Sequence, residues 1–396
     1  MSTIRIIYYA VVLLSLGHAG GLQAANDMIG PEGSMAPELS AGANGNLYFS
    51  WIEAHGNGHA LRFAVFEDEG WSETHTVAVG DDWSVNWADW PSVTALGNGV
   101  LVANWRRRTG ASSLAYEIKM AMSQDGGKSW KAPITLNDDG TATQHGFVSI
   151  VPGHSRLDII WLDGRRTTKA SGEAEAMTLR HAVVNADGSI EASTELDART
   201  CDCCPTSLIE VPGGLLTAYR DRTQEDIRDI VVRDNVGGRW SVERPVHEDN
   251  WEFAGCPING PALDAQGSMV AAAWFTAPSK KPQVLVALSR DGGISFGTPI
   301  RASDKRTLGR TDLVILDDSE TIVSWVERRT FSSRLILRRI RADGTVEQPR
   351  VLGDVEVLTN GFPRMVRHGK NLVFAWTEKA GRSGRVHAVV IAVEEL

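Results

Sequence analysis

Four cysteines fall in two short runs, Cys201, Cys203 and Cys204 in ARTCDCCPTS and Cys256 in FAGCPINGP. Soft sulfur suits Cu(I) or Zn, and His145 and Met35, in comparable loops, could complete such a ligand set. The same residues fit two disulfides equally well, with three connectivities available. C-x-C-C is not an ordinary zinc-finger spacing, so the covalent reading comes first, with copper or zinc as the alternative cofactor. A second set of chemistry-bearing side chains, Glu53, Arg106, Asp163, Arg165, Arg220, Asp221, Glu327 and Glu378, follows a series of aromatic-ended apolar runs. Two carboxylates brought together there could act as acid and base or nucleophile on a glycosidic bond. The alternative is a solvated rim whose charges pair with one another.

The elements that must position these residues are periodic. Trp51, Trp105, Trp161, Tyr219, Trp274, Trp325 and Trp376 each end an apolar run such as LYFSW, VLVANW or LVFAW, at spacings of 51 to 58 residues. A period in this range marks stacked supersecondary units, none able to bury its own apolar face alone. Each unit reads as four short strands joined by Gly/Asn/Asp turns, which predicts an all-β propeller of four-stranded antiparallel blades. Seven blades are expected, six being the count if one unit is misread. The last unit, 361–396, has three strands, so segment 26–35 is expected to supply its fourth and close the ring.

Nothing interrupts the period, so 25–396 reads as one domain. The net charge of −9 argues against nucleic acid and anionic membrane partners, and leaves a glycan or other small ligand. Residues 1–24 hold one cationic residue, Arg5, an apolar core too short to span a bilayer, and small residues ending at Ala24. This pattern predicts a cleaved signal peptide and a periplasmic or secreted protein with no membrane span.

Two turns carry a more specific signature. Ser123, Asp125, Gly127 and Trp130 in SQDGGKSW, and Ser289, Asp291, Gly293 and Phe296 in SRDGGISF, both match S-x-D-x-G-x-[ST]-[WF] at the same place in the blade. Asp and Gly there form a hairpin turn and the aromatic plugs the space between sheets. The chain thereby resembles the sialidase-like Asp-box (bacterial neuraminidase repeat) propellers over essentially all of 25–396. The resemblance implies that the Asp-boxes lie on the face opposite the ligand site. It also implies three carboxylate-binding arginines, an aspartate acid/base and a late tyrosine nucleophile. Met35 stands where the first arginine belongs, no Tyr follows Tyr219, and Arg310 and Arg364 supply two arginines rather than three. Ordinary sialidase activity is therefore not expected; an enzyme here would be a glycoside hydrolase of non-standard type, with Asp163, Glu327, Glu378, Arg310 and Arg364 as catalytic candidates.

The ligand face should be built from the loops entering each first strand and those following each aromatic-ended strand. Trp83, Trp87, Trp90 and Trp251 lie in entering loops, where indole suits stacking on a sugar ring; Arg106 and Arg220 join them as binding candidates. Packing between blades is the competing role for these tryptophans. Aligning the prolines that open first strands puts Ala36, Trp90, Cys204, Cys256 and Phe362 at one equivalent position. Cys204 and Cys256 are thus expected to be neighbours at the channel mouth, with Cys203 and Cys204 bonding to different partners. The reading is an exported propeller that binds or hydrolyses a glycan; the alternative is a metal- or thiol-handling protein using the cysteine cluster.

Overall fold

Each aromatic strand end packs onto the blade before it, and that contact is what makes the units stack. The computed structural model describes residues 27–67, 70–167, 176–317, 320–330, 332–355, 361–380 and 383–396. Segment 1–24, read above as a leader, lies outside them, as does Asn26. The described chain forms seven antiparallel sheets in a ring, a seven-bladed propeller. From blade one to blade seven the innermost strands are Met35–Ala41, Ser92–Ala95, His145–Pro152, Ser207–Val211, Ala262–Gln266, Thr307–Asp317 and Arg364–His368.

Seven apolar clusters occupy the seven interfaces. Trp105 lies in the cluster shared with Tyr48 and Phe63 of blade one, Trp161 in that shared with Met120 of blade two, and Tyr219 in that shared with Leu162 of blade three. Trp274, Trp325 and Trp376 continue the series, and Trp51 meets Val373 of blade seven. All seven rings are at most 5% exposed, so the period in the sequence is a period of interface plugs.

The ring closes through Met28–Ile29, which pairs antiparallel with the last strand, Ser383–Ala392, in register Met28 to Ala388 and Ile29 to His387. This strand is shorter than the expected segment. Pro31 has no N–H to donate and Gly33 turns the chain at φ 88°, so Met35 already belongs to blade one, opposite Ile52. Ser34 Oγ still caps the closing sheet by accepting from Val386 N at 2.9 Å.

The two S-x-D-x-G-x-S turns share one hydrogen-bond pattern. Asp125 Oδ1 accepts from Ser123 Oγ at 2.8 Å and Ser129 N at 2.9 Å; Asp291 Oδ1 accepts from Ser289 Oγ at 2.7 Å and Ser295 N at 3.0 Å. Gly127 and Gly293 adopt φ of 88° and 85°, and a Cβ at either would collide with Phe63 or Leu216 of the preceding blade. Ser123 pairs with Leu101, where the aromatic-ended strand begins. These turns therefore lie at the opposite end of the blades from the loops that follow the aromatic residues.

Candidate functional site

The innermost strands of all seven blades enclose a channel cavity of about 370 Å³, and the loop into blade two crosses its mouth. That loop is held from beneath. Asp89, 2% exposed, accepts from Phe147 N at 2.8 Å and pairs with Arg106 at 2.6 Å. So anchored, the loop presents Trp87 and Trp90, both half-buried, to Phe362 of blade seven, at centroid distances of 6.0 and 5.2 Å.

Two arginines flank this aromatic group in different electrostatic states. Arg364 lies over Trp90 at 5.1 Å and is neutralised, with Nε 2.8 Å from Glu38 and 3.8 Å from Asp312. Burial outweighs the attraction of Arg364 and pushes the Glu38 carboxyl up to about 7. Arg310 lies 4.2 Å from the Trp87 ring and 5.0 Å from Phe362. It is 8% exposed, its Nε and Nη1 have no hydrogen-bond partner, and no carboxylate of the described residues pairs with it. Burial alone draws its pKa down to about 10. Its backbone is pinned at φ 57° by the Arg310 N–H bond to Asn259 Oδ1 at 2.7 Å. At the preceding Gly309 a Cβ would strike that same amide. The strained backbone holds a desolvated guanidinium against two rings with donors left unsatisfied, an arrangement an anion could complete.

Beside this group a cleft of about 810 Å³ opens among the loops of blades two to five, lined by Asn86, Trp87, Gln144, Asp202, Arg222, Cys256 and others. Arg222 pairs with Asp202 and Asp226, both at 3.0 Å, and Gln144 Nε2 donates to Asp202 O at 3.2 Å. Asp202 is the one carboxylate among the described residues that line the cleft.

The remaining sequence candidates are placed elsewhere. Trp83, 4% exposed, stacks on Trp105 at 5.6 Å in the interface of blades one and two. Trp251, 6% exposed, lies between Phe253 and the Arg220 guanidinium. Arg220 donates to the carbonyls of Asn259, Phe275 and Arg228. Asp163 is fully buried and accepts from Trp161 Nε1 at 2.9 Å and Arg165 Nε at 2.8 Å. Glu378 pairs with Arg385 at 2.7 Å, and Glu327 sits opposite Arg334 in the blade-six sheet.

His145, also fully buried, faces Asp139 at 3.1 Å and Asp163 at 3.7 Å. Burial disfavours its charged form, but those two carboxylates raise its pKa all the same. Asp139, His145 and Asp163 are close enough to hold a cation, a place the Arg165 guanidinium already takes in charge. Met35 packs into the interface of blades one and two. Neither His145 nor Met35 belongs to the sulfur cluster.

Cys203, not Cys204, bonds to Cys256, with a Cα–Cα distance of 6.1 Å. Cys201 and Cys204 are buried thiols with Sγ atoms 3.2 Å apart. The Cys204 hydrogen bond, against the effect of burial, brings Cys201 down to about 6, while burial pushes Cys204 up. One disulfide and one dithiol thus replace the two disulfides expected.

The ring has counterparts of known structure. It is similar to an ulvan lyase of polysaccharide lyase family PL25 solved bound to -[GlcA(1-4)Rha3S]-, with TM-score 0.58 and 12% identity over 93% of this chain and 98% of that one. It is also similar to a point mutant of the NanB sialidase of Streptococcus pneumoniae, with TM-score 0.50 and 9% identity over 93% and 95%. At such identities the likeness establishes the fold, a sialidase-like propeller. No family model and no curated protein matches the sequence.

Phe362 and Asn259 escaped sequence reasoning as site residues. Phe362 carried a signal, since it shares the aligned position of Trp90, but Asn259 gave none. Gln144 and Arg222 lie in loops expected to build the ligand face, but nothing in the sequence singled out these two residues.

Proposed function

We propose that this protein recognises an acidic glycan on its loop face, with Trp87 as the stacking platform and Arg310 as the anion contact. The observation that carries the reading is the buried guanidinium of Arg310, stacked on Trp87 and Phe362 with no carboxylate partner. A uronate or sulfate would supply the missing charge through charge-assisted hydrogen bonds. Proteins of the same fold act on acidic saccharides: one neighbour is a sialidase and the other was solved with a glucuronate and sulfated-rhamnose ligand. Recognition is favoured over hydrolysis because glycosidases use two carboxylates, and the described cleft offers Asp202 alone, already paired with Arg222. Sialidase chemistry is further disfavoured by Met35, half-buried against the interface of blades one and two, and by Tyr219, whose hydroxyl is committed to Asp197 at 2.6 Å.

Titration calorimetry with an oligoglucuronate and with the matching neutral glucan tests the proposal. Binding of the acidic ligand at least tenfold tighter is the expected result, and equal or absent binding of both would reject it. The leader expected in 1–24 puts this recognition outside the cytoplasm; cell fractionation with N-terminal sequencing checks that, a start after Ala24 being the expected outcome.

A further inference from the structure

The two buried thiols, Cys201 and Cys204, sit beside a buried cation. Arg220 is 2% exposed and spends its N–H groups on three carbonyls, with no carboxylate of the described residues at salt-bridge distance. Its charge acts on both Cys201 and Cys204, and Cys201 N donates to Arg220 O at 3.0 Å. A buried guanidinium with no carboxylate at salt-bridge distance is costly; Asp229 acts on it only from farther off, and thiolates at Cys201 and Cys204 are positioned to offset it. Asn259 N–H points at Cys204 Sγ from 3.4 Å, adding a donor to the same sulfur.

The spacing of the sulfurs fits a metal. Those of Cys201, Cys203 and Cys204 lie within 4.8 Å of one another, with Cys201 at 3.2 Å from Cys204 and 4.0 Å from Cys203. Three thiolates at metal–sulfur bonds of about 2.3 Å stand about 4 Å apart, so small side-chain rotations suffice. We propose that Cys201, Cys203 and Cys204 form a thiolate site for a soft d¹⁰ cation, Cu(I) or Zn²⁺, and that the Cys203–Cys256 bridge gates it. While the bridge is closed, Cys203 has no thiolate to offer.

Cys256 is exposed on the cleft wall, where a dithiol reductant can reach it. The reductant's thiolate attacks the Cys256 sulfur and Cys203 leaves as a thiolate. The second thiol of the reductant then displaces Cys256, forming the reductant's own disulfide and leaving two cysteine thiols on the protein. Metal binding releases the protons still held by the three ligand sulfurs.

The test uses Cys256→Ser, which frees Cys203 without reductant and changes an exposed side chain. Competition against a Cu(I) chelator, and against a Zn²⁺ indicator, should give one metal per chain for this variant, bound at least 100-fold tighter than by the oxidised wild type. Adding Cys201→Ser should abolish the gain. Wild type treated with a phosphine reductant should match Cys256→Ser, which covers the case in which the variant folds poorly. The site is refuted if neither cation binds Cys256→Ser or the reduced wild type more tightly than the oxidised protein, or if binding survives Cys201→Ser.

Discussion

The guanidinium of Arg310, from blade six, lies 4.2 Å from the indole of Trp87, which the loop into blade two carries across the mouth of the propeller. Blades two and six are not neighbours in the ring, so this contact exists because that loop spans the channel and is pinned at Asp89 by Arg106 and Phe147. Trp87 should then contribute to ligand binding and Trp83 to stability. Trp87→Ala is expected to weaken glycan binding about tenfold or more with little loss of stability, on the ~1–2 kcal/mol scale of a stacking contact. Trp83→Ala should lower stability by about 3–5 kcal/mol, the usual cost of emptying a buried aromatic site. Calorimetric binding and chemical denaturation of both variants check the separation of roles.

Glu38 gives the fold a pH dependence of defined sign. Its carboxyl ionises near the ordinary value of 4.5 in the unfolded chain and at about 7 in the folded one. The contribution to stability is therefore fully present below about 4.5 and is lost as pH rises through 7. Asp264, pushed up to about 6 by burial, acts in the same direction. Between pH 5 and pH 8 the wild type should lose on the order of 2–3 kcal/mol more stability than Glu38→Gln. Parallel urea midpoints for the two proteins across that range would show that Glu38 does not titrate as described.

The Cys203–Cys256 bridge spans 53 residues and ties the loop entering blade four to the loop entering blade five. Cys256→Ser should lower unfolding stability by about 2–4 kcal/mol, through the greater freedom of the unfolded chain. Thiol titration of the denatured, unreduced wild type should find two free thiols, those of Cys201 and Cys204. Four would mean that the bridge does not persist in solution, and none that Cys201 and Cys204 are also oxidised rather than a dithiol.

The turns at Asp125 and Asp291 lie at the far end of the blades from the cleft. Asp125→Ala should lower the melting temperature, because it removes the acceptor for Ser123 Oγ, Ser129 N and Ser129 Oγ. Glycan affinity should stay within twofold of wild type, as measured by the same calorimetry.

Much of the fold was legible because its repeat is written in large apolar residues. Seven aromatic residues at 51–58-residue spacing mark seven interfaces, and the missing fourth strand of the last unit points to closure by the N-terminal segment. The site was less legible. Aligning prolines put Cys204 beside Cys256, yet Cys203 makes the bond: alignment sets a position along the chain, but the turn at Cys203 leaves its sulfur half-buried and within reach of exposed Cys256 while Cys204 is buried. Trp83 and Trp87 look alike in DDWSVNWADW, and the rigid pairing of Asp89 with Arg106 decides which ring is displayed. The contrast between Arg364 and Arg310 depends on Glu38, 326 residues from Arg364 in sequence, which no local pattern reveals.

The most direct test of the account compares an oligoglucuronate with its methyl ester, which keeps the sugar rings and removes the charge, on wild type and Arg310→Gln. The wild type should bind the acid at least tenfold more tightly than the ester, and Arg310→Gln should bind the two within about twofold of each other, the difference being a charge-assisted contact worth ~1.5–3 kcal/mol. Undiminished preference for the acid in Arg310→Gln, or no preference in the wild type, would contradict the assignment of Arg310 as the anion contact.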